Sequence, residues 1–255
     1  MDPLIIKESS QHVEFIFNRP EKKNALNIEL VLALTEAFKK YGTLNKTRLI
    51  VLTGNGDVFS AGADLESLQK LQHATMEQNL VDSKKLADLF EVMYLCDKPI
   101  LGVINGHALA GGCGLVSMCD ISLCSPHAKF GYTETRIGFV PAIVSKFLYH
   151  KIGEAHTRRL LLSGAIINAD EATRIGLVTE VAENFDERKK YWIQVFTKEV
   201  SPEAVQRTKK LLRSIPNLSV EESLINAVQE NASARMTNDC KKGISAFLNK
   251  EKIQW

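Results

Sequence analysis

The sequence predicts a single α/β domain whose C-terminal part is helical. In the first half of the chain, short apolar segments typical of strands are separated by helical patterns, which favours βαβ units and partly parallel sheets. From Val144 onward strand patterns nearly vanish, apart from residues 176–181. No internal repeat and no long linker divides the 255 residues, and a chain of this length can bury a substantial core.

The individual elements are predicted from periodicity. Apolar and polar residues alternate at 4–6 and 13–17, as in half-buried strands, and Asn27 can cap a helix whose apolar positions share one face. Further strands are predicted at 49–52, 99–104 and 121–124, with a brief extended piece at 128–131. Helical patterns begin at Leu65 and cover 76–95, 145–151, 154–162, 170–175, 187–200, 202–214, 220–234 and 239–249.

Composition and charge exclude several classes of protein. The formal net charge is +2, and the basic residues are scattered as short pairs typical of solvated helix faces, so we expect no nucleic-acid partner. The five cysteines form no CxxC pair and show no ligand spacing with the histidines, so we expect reduced cysteines and no metal site. Neither a secretory signal nor an apolar run of about 18 residues is visible, so we expect a soluble, cytoplasmic protein without membrane contact.

Two glycine-rich turns are the most informative features of the sequence. In one of them, Gly111, Gly112 and Gly114 lie between an apolar run and a stretch with helical potential at 115–118. Such a turn exposes backbone N–H groups at the positive end of a helix, which suits an anion or an oxygen that becomes one during reaction. A second turn of this kind covers 59–65, and the alternative interpretation of each is a tight turn packed around glycine.

With both turns and Glu134 in this order, the chain resembles the crotonase (enoyl-CoA hydratase/isomerase) superfamily almost end to end, from Asn18-Arg19-Pro20 and Asn24-Ala25-Leu26 to residues 243–250. The resemblance implies the crotonase (ClpP/crotonase-like) fold of repeated ββα units, with a core at 1–195 and a C-terminal helical trimerisation region at 196–255. It further implies an acyl-CoA substrate, a place in fatty acid metabolism, and self-association as a trimer or dimer of trimers. No cofactor is implied, because coenzyme A is part of the substrate.

The resemblance also assigns roles to single groups. It implies that the backbone N–H groups of Ala63 and Gly111 bind the thioester oxygen as that oxygen becomes negatively charged. Loss of one such donor typically costs about 10²–10³ in rate. Asp64 follows Ala63 directly, and we expect it to cap the next helix rather than to act in catalysis.

Hydratases of this family commonly use two glutamates, and the chain matches only one of them. Glu134 occupies the second position, in Phe130-Gly131-Tyr132-Thr133-Glu134, which implies that it is the acid/base. The first position falls on Gly114, and glycine cannot transfer a proton. General acid–base assistance is worth about 10²–10⁴ in rate, so hydration should be slow unless another group helps. The candidates, for each of which a packing or turn role is favoured, are Tyr132, Thr133, His107, Cys113 and Ser145.

Two functional interpretations remain open beside a disfavoured third. Residues 138–145 and 247–250 with Trp255 are similar to bacterial methylglutaconyl-CoA and related enoyl-CoA hydratases that also lack the first glutamate, which makes hydration the leading interpretation. Residues 110–113 and 133–138 resemble Δ3,Δ2-enoyl-CoA isomerases, in which one glutamate moves a proton between two carbons. The third is a family member that binds acyl-CoA without turnover, and the intact Glu134 argues against it.

The resemblance also points to the ligand contacts. The acyl pocket is expected to be lined from 80–90 and 140–148. Lys250 is included because relatives place a lysine there, in some cases from a neighbouring subunit. The implied substrate-binding residues are Lys23, Asn24, Ala25, Ala61, Gly62, Asp64, Leu65, Gly112, Gly114, Pro141 and Lys250.

Overall fold

The computed structural model describes residues 2–255. The strands are β1 (Leu4–Glu8), β2 (His12–Phe17), β3 (Leu49–Gly54), β4 (Val58–Ser60), β5 (Ile100–Ile104), β6 (His107–Leu109), β7 (Ile121–Cys124), β8 (Lys129–Gly131), β9 (Ile166–Asn168) and β10 (Glu180–Val181). The helices are α1 (Ile28–Thr43), α2 (Leu65–Leu71), α3 (Met76–Leu95), α4 (Gly111–Ser117), α5 (Ala142–Ser163), α6 (Ala169–Arg174), α7 (Phe185–Gln194), α8 (Pro202–Ser214), α9 (Val220–Ala234) and α10 (Asn238–Leu248). Short 3₁₀ turns occupy Pro20–Lys22, Glu134–Ile137 and Ile215–Asn217.

Two mixed sheets carry the strands. The larger sheet has the order β1-β2-β3-β5-β7-β10, in which β1 is antiparallel to β2 and the other neighbours are parallel. The smaller sheet has the order β4-β6-β8-β9, in which only β9 runs antiparallel to its neighbour. Along the chain, a strand of the larger sheet is followed by a strand of the smaller sheet and then by a helix, as in β3-β4-α2 and β5-β6-α4. This repeat confirms the predicted α/β class with ββα units.

The core forms where α1 packs on the larger sheet. Leu30, Leu34 and Phe38 of α1 are at most 1% exposed, and the ring of Phe38 meets Phe15 of β2 edge-on at 5.2 Å between ring centroids. The Asn27 side chain caps α1 by accepting a hydrogen bond from the Leu30 N–H, as predicted. The central strands β3 and β5 are buried on both faces, which explains why they are continuous apolar runs in the sequence.

Several elements differ from the sequence predictions. The strands β4, β6 and β9 are not predicted, because three residues are too few to show an alternating pattern and their pairing partners are distant in the chain. The helix at 115–118 begins earlier, at Gly111. The two helices predicted at 145–151 and 154–162 form one element, α5, interrupted by Gly153, whose φ of 74° is not helical.

The predicted boundary between residues 195 and 196 falls inside a helical segment. A π-helical turn at Val195–Glu199 extends α7, and the backbone leaves the helical region only at Val200, where φ is −118° and ψ is 145°. Ser201 then caps α8 by accepting from the Ala204 N–H. A break in the helical backbone therefore lies at Val200–Ser201, just before α8, and the division into a core and a trimerisation region remains a prediction. Within residues 2–255, no helix combines the length and the hydropathy needed to cross a bilayer.

Asn24 holds together the loop that precedes α1. Its side chain is fully buried and its backbone is left-handed, with φ of 53°. The Oδ1 atom accepts from the Arg19 N–H at 2.9 Å, and Nδ2 donates to the carbonyl oxygens of Asn55 and Val58 at 2.9 and 2.7 Å. The polar atoms of the Asn24 side chain are all bonded within the protein. A contact between Asn24 and the ligand therefore remains a prediction only for the Asn24 backbone.

Replacing Asn24 by alanine is expected to lower the free energy of unfolding by about 1–3 kcal/mol, because buried donors and acceptors lose their partner. Urea denaturation measures this change. The matched control is Asn45→Ala in the exposed loop after α1, which should stay within about 0.5 kcal/mol of the parent. Equal effects of the two substitutions would contradict the assigned role of the Asn24 amide.

Candidate active site

The candidate site lies where three neighbouring parallel strands of the smaller sheet end. Strands β4, β6 and β8 end at Ser60, Leu109 and Gly131. Because they are adjacent and parallel, their carboxyl ends meet at one edge of the sheet, where ligands of open α/β sheets commonly bind. Ala63, Gly111 and Glu134 each follow one of these ends by two or three residues. The smaller sheet thus brings together the three groups that the resemblance assigned to catalysis.

The two glycine turns touch each other so closely that larger residues do not fit. An ideal Cβ built on Gly62, whose φ is 92°, would lie 2.6 Å from the Ala110 Cβ and 3.3 Å from the Gly111 N. A Cβ on Gly112 would lie 2.5 Å from the Ser60 carbonyl oxygen. The glycines are therefore required by packing, and the same packing places the two turns side by side.

The backbone N–H groups of Ala63 and Gly111 have no acceptor within residues 2–255. Ala63 is held in a parallel bridge to Leu26, in which the Leu26 N–H donates to the Gly62 oxygen at 2.7 Å and the Asp64 N–H donates to the Leu26 oxygen at 3.2 Å. Gly111 is the first residue of α4, so its N–H lies at the positive end of the helix. An oxyanion hole requires free donors of this kind in neighbouring turns.

Asp64 is the helix cap that was predicted. Its Oδ1 accepts from the N–H groups of Glu66 and Ser67 at 3.0 and 3.2 Å, and its Oδ2 pairs with the Arg19 guanidinium at 2.8 Å. Burial alone would raise the pKa of Asp64, but Arg19 and the two N–H groups outweigh it and hold the pKa below its ordinary value. Asp64 is therefore a fixed anion that anchors the turn carrying Ala63.

Glu134 has the opposite environment. It begins the 3₁₀ turn after β8, and its Oε2 atom is buried without a hydrogen-bond partner within residues 2–255. Burial raises the pKa of this carboxyl above its ordinary value of 4.5. An unpaired buried carboxyl oxygen is costly for a structural residue, and a raised pKa makes the group a better proton carrier near neutral pH.

The groups considered as replacements for the missing glutamate have structural roles. Tyr132 is fully buried and donates to the Cys113 carbonyl oxygen at 3.2 Å, and burial raises the pKa of the Cys113 thiol to about 12. The exposed His107 accepts from the Lys129 N–H, and the Ser145 hydroxyl donates to the Ala142 oxygen. Thr133 lies at the start of the 3₁₀ turn without capping it through its side chain.

The predicted substrate-binding residues lie in three places. Around the turns, the Ala61 N–H donates to the Lys23 oxygen at 3.0 Å, Ala25 accepts from the Arg19 guanidinium, and Leu65 is 77% exposed. Pro141 and Gly114 lie deeper, at the start of α5 and on α4. Lys250 stands apart after α10 with φ of 56°, and within residues 2–255 no hydrogen bond joins it to the turns.

Arg19 is the site residue to which the sequence assigned no role. It belongs to the Asn18-Arg19-Pro20 motif, but a motif does not reveal its ion-pair partner, and Asp64 lies 45 residues further along the chain. Two cavities of the structure lie away from these residues. One of 840 Å³ adjoins the C-terminal end of α4 at Ser117 and Met118, and one of 670 Å³ lies between α8 and α9.

Comparison with known proteins agrees with this geometry. Residues 8–255 match the model of the enoyl-CoA hydratase/isomerase family. A Thermus thermophilus protein provisionally described as an enoyl-CoA hydratase is 37% identical over 96% of this chain and 98% of its own length. The 2,3-dehydroadipyl-CoA hydratase of Escherichia coli is 31% identical over 98% of this chain and 97% of its own length. An enoyl-CoA hydratase structure from Shewanella pealeana superposes with a TM-score of 0.94 at 25% identity, covering 99% of this chain and 96% of that one.

The chain therefore belongs to the enoyl-CoA hydratase/isomerase family, as the motifs indicated, and it has the crotonase fold. The predicted type of function, an enzyme of the enoyl-CoA hydratase class, is confirmed at this level.

Gly62→Ala should lower kcat by about 10²–10³, the cost of losing one oxyanion donor, because the added Cβ pushes the two turns apart. Steady-state kinetics measures this loss. Gly176→Ala is the matched control, since Gly176 has a similar φ of 81° but its Cβ would meet nothing closer than 3.8 Å. A comparable loss of kcat in both variants would show that backbone strain, rather than the contact between the turns, is responsible.

Glu134→Gln should raise Tm above that of the parent at pH 8, and the difference should shrink towards pH 4. The folded state holds the Glu134 proton more tightly than the unfolded chain, so ionisation destabilises the fold as the pH rises through the raised pKa. Below the unfolded pKa both states are protonated and the penalty is absent. Thermal melts at the two pH values test this, with Glu91→Gln on the exposed face of α3 as the control.

Proposed function

We propose that the chain hydrates an α,β-unsaturated acyl-CoA thioester. The observation that supports this proposal is the convergence of two unpaired N–H donors, on Ala63 and Gly111, with the unpaired buried carboxyl oxygen of Glu134. The donors suit a thioester oxygen that gains charge, and the carboxyl suits a proton that moves. The names of the relatives support the same substrate class, since the Escherichia coli protein is a hydratase of a CoA thioester.

In the proposed reaction, the Glu134 carboxylate takes a proton from water while the water oxygen forms a bond to C3 of the enoyl group. The electron pair of the C2–C3 double bond forms a double bond between C1 and C2, and the carbonyl π pair moves to the oxygen, where the Ala63 and Gly111 N–H groups stabilise the enolate. The protonated Glu134 then delivers a proton to C2, which gives the 3-hydroxyacyl thioester and restores the carboxylate. A raised pKa favours this second step, because the carboxyl holds its proton until the carbon accepts it.

Isomerisation of a Δ3 to a Δ2 double bond is the second candidate, and the glycine at position 114 favours it. With no carboxylate at that position, Glu134 alone would remove a proton from C2 of a β,γ-unsaturated thioester, which gives a dienolate held by the same two N–H groups, and return the proton to C4. No water is consumed in this reaction. The two candidates use Glu134 and the two donors alike, and they differ in the position of the substrate's double bond and in the need for water.

The remaining features of the proposal concern the ligand and the assembly. Backbone groups around Lys23 and Ala25, the Ala61–Leu65 turn, and Lys250 would hold the coenzyme A portion, and the reaction needs no cofactor. Apolar side chains on the C-terminal helices are exposed in the single chain, and a trimer or dimer of trimers would cover them. Examples are Val220 at 80%, Leu224 at 61% and Phe247 at 82% exposure. We place the enzyme in the cytoplasm, in fatty acid metabolism.

The proposal is tested by supplying an α,β-unsaturated and a β,γ-unsaturated acyl-CoA separately and following the absorbance of the conjugated thioester. Hydration is expected to remove conjugation from the first and give a 3-hydroxyacyl product by mass spectrometry. Glu134→Ala should lower the rate by about 10²–10⁴, whereas Glu91→Ala should leave it unchanged. Gain of conjugation from the second substrate alone would identify an isomerase, and no reaction with either would favour binding without turnover.

A further inference from the structure

Two apolar side chains fill the space beside Gly114. Gly114 lies one helical turn after Gly111 on α4, so the two residues share a face of the helix. An ideal Cβ on Gly114 would lie 2.5 Å from Val144 Cγ1 and 2.9 Å from Phe90 Cζ. Phe90 is fully buried and Val144 is 4% exposed. We call these two side chains, which come from α3 and α5, the Phe90–Val144 wall.

The Phe90–Val144 wall packs against further aromatic side chains, and α5, which carries Val144, follows Glu134 closely along the chain. The ring of Phe90 stacks on Phe147 at 5.7 Å, and Phe147 contacts Tyr94 at 5.5 Å between centroids. Val144 lies in the first turn of α5, directly after the segment in which the Phe139 N–H donates to the backbone carbonyl oxygen of Glu134 at 3.0 Å. The backbone segment that carries Glu134 therefore leads directly into the helix that carries Val144.

We propose that the Phe90–Val144 wall sets the ratio of double-bond isomerisation to hydration in this active site. This inference rests on the proposed function and deepens it, because it assigns the choice between the two reactions to named side chains. In each reaction the Ala63 and Gly111 N–H groups hold an enolate. Hydration forms it when water adds to C3 of an α,β-unsaturated thioester, and isomerisation forms a dienolate when C2 of a β,γ-unsaturated thioester loses a proton. Only hydration needs an ordered water that supplies oxygen to C3.

The physical reason is that a water molecule needs two to four polar partners to be held in place. The wall offers none, whereas a carboxylate at position 114 would offer two acceptor oxygens. The other titratable groups closest to Glu134, Tyr132 and Cys113, are buried and their pKa values are raised, so they keep their protons at neutral pH. With a β,γ-unsaturated substrate, a proton taken from C2 therefore stays on Glu134 and returns to C4, whereas hydration of an α,β-unsaturated substrate has to rely on Glu134 alone to hold its water.

Val144→Thr tests the inference with little change in side-chain shape. Its hydroxyl would give water one partner at the wall, and the ratio of hydration to isomerisation is expected to rise by up to about tenfold, the equivalent of one hydrogen bond. In D₂O and with a β,γ-unsaturated acyl-CoA, the parent should return to C4 mostly the hydrogen that it removed from C2. The variant should incorporate more deuterium at C4. Phe90→Leu, which opens the other half of the wall, should shift both quantities in the same direction.

Ile152→Thr is the matched control, because it places the same hydroxyl at a buried position of α5 that is remote from Gly114. It should lower Tm and leave the product ratio and the deuterium content unchanged. Products that form with an unchanged ratio in both wall variants would overturn this inference while leaving the proposed function intact. Absence of both products from the parent enzyme would overturn the proposed function and the inference together.

A stability cycle tests the contact without relying on activity. Gly114→Ala should lower Tm strongly in the parent, since its Cβ would lie within 2.5 Å of Val144, and less in a Val144→Ala background. Additive changes in Tm would mean that Val144 does not occupy the space beside Gly114, and this would overturn the inference.

Discussion

The close contact between the two glycine turns is the constraint on which the rest of this structure depends. Gly62 fits against Ala110, and Gly112 fits against the Ser60 carbonyl, at distances that exclude any Cβ. The contact fixes the ends of β4 and β6 relative to each other, and with them the N–H groups of Ala63 and Gly111. Donors held in this way require no reorganisation when charge develops on a thioester oxygen, which is the main source of catalytic power in such sites.

The polar side chains around the turns form hydrogen bonds with one another and with the backbone, whereas the Glu134 carboxyl has an oxygen without a partner. Asn24 and Arg19 bond to the loop and to Asp64, and Asp64 in turn caps α2 beside Ala63. At the same site, the environment pushes the pKa of Asp64 down and that of Glu134 up. Carboxyls whose pKa values are driven apart suit different roles: Asp64 is an anion of the scaffold, and Glu134 has the environment of a group that can exchange protons. The unpaired Glu134 oxygen is a local loss of stability, and such losses are common at functional sites.

In the proposed chemistry, the side chains that select between the two reactions lie outside the turns. α3 and α5 supply the apolar side chains beside Gly114, and they belong to the packing of the core rather than to any motif. A helix face that could carry a second acid is instead covered by Phe90 and Val144. The same oxyanion geometry can therefore serve reactions with and without water, because packing behind the site controls which groups reach the substrate.

The sequence by itself determined the long elements, the family, and the motifs on which the proposed reacting groups lie. The bounds of α3, α8 and α9 agree with its periodicity, because helical burial repeats locally, and the glycine turns, Glu134 and the glycine at 114 are visible as motifs. Only the tertiary structure decided the three-residue strands of the smaller sheet, the pairing of Arg19 with Asp64, and the filling of the space at Gly114. Each of these depends on contacts between residues distant in the chain, and local sequence patterns do not encode such contacts.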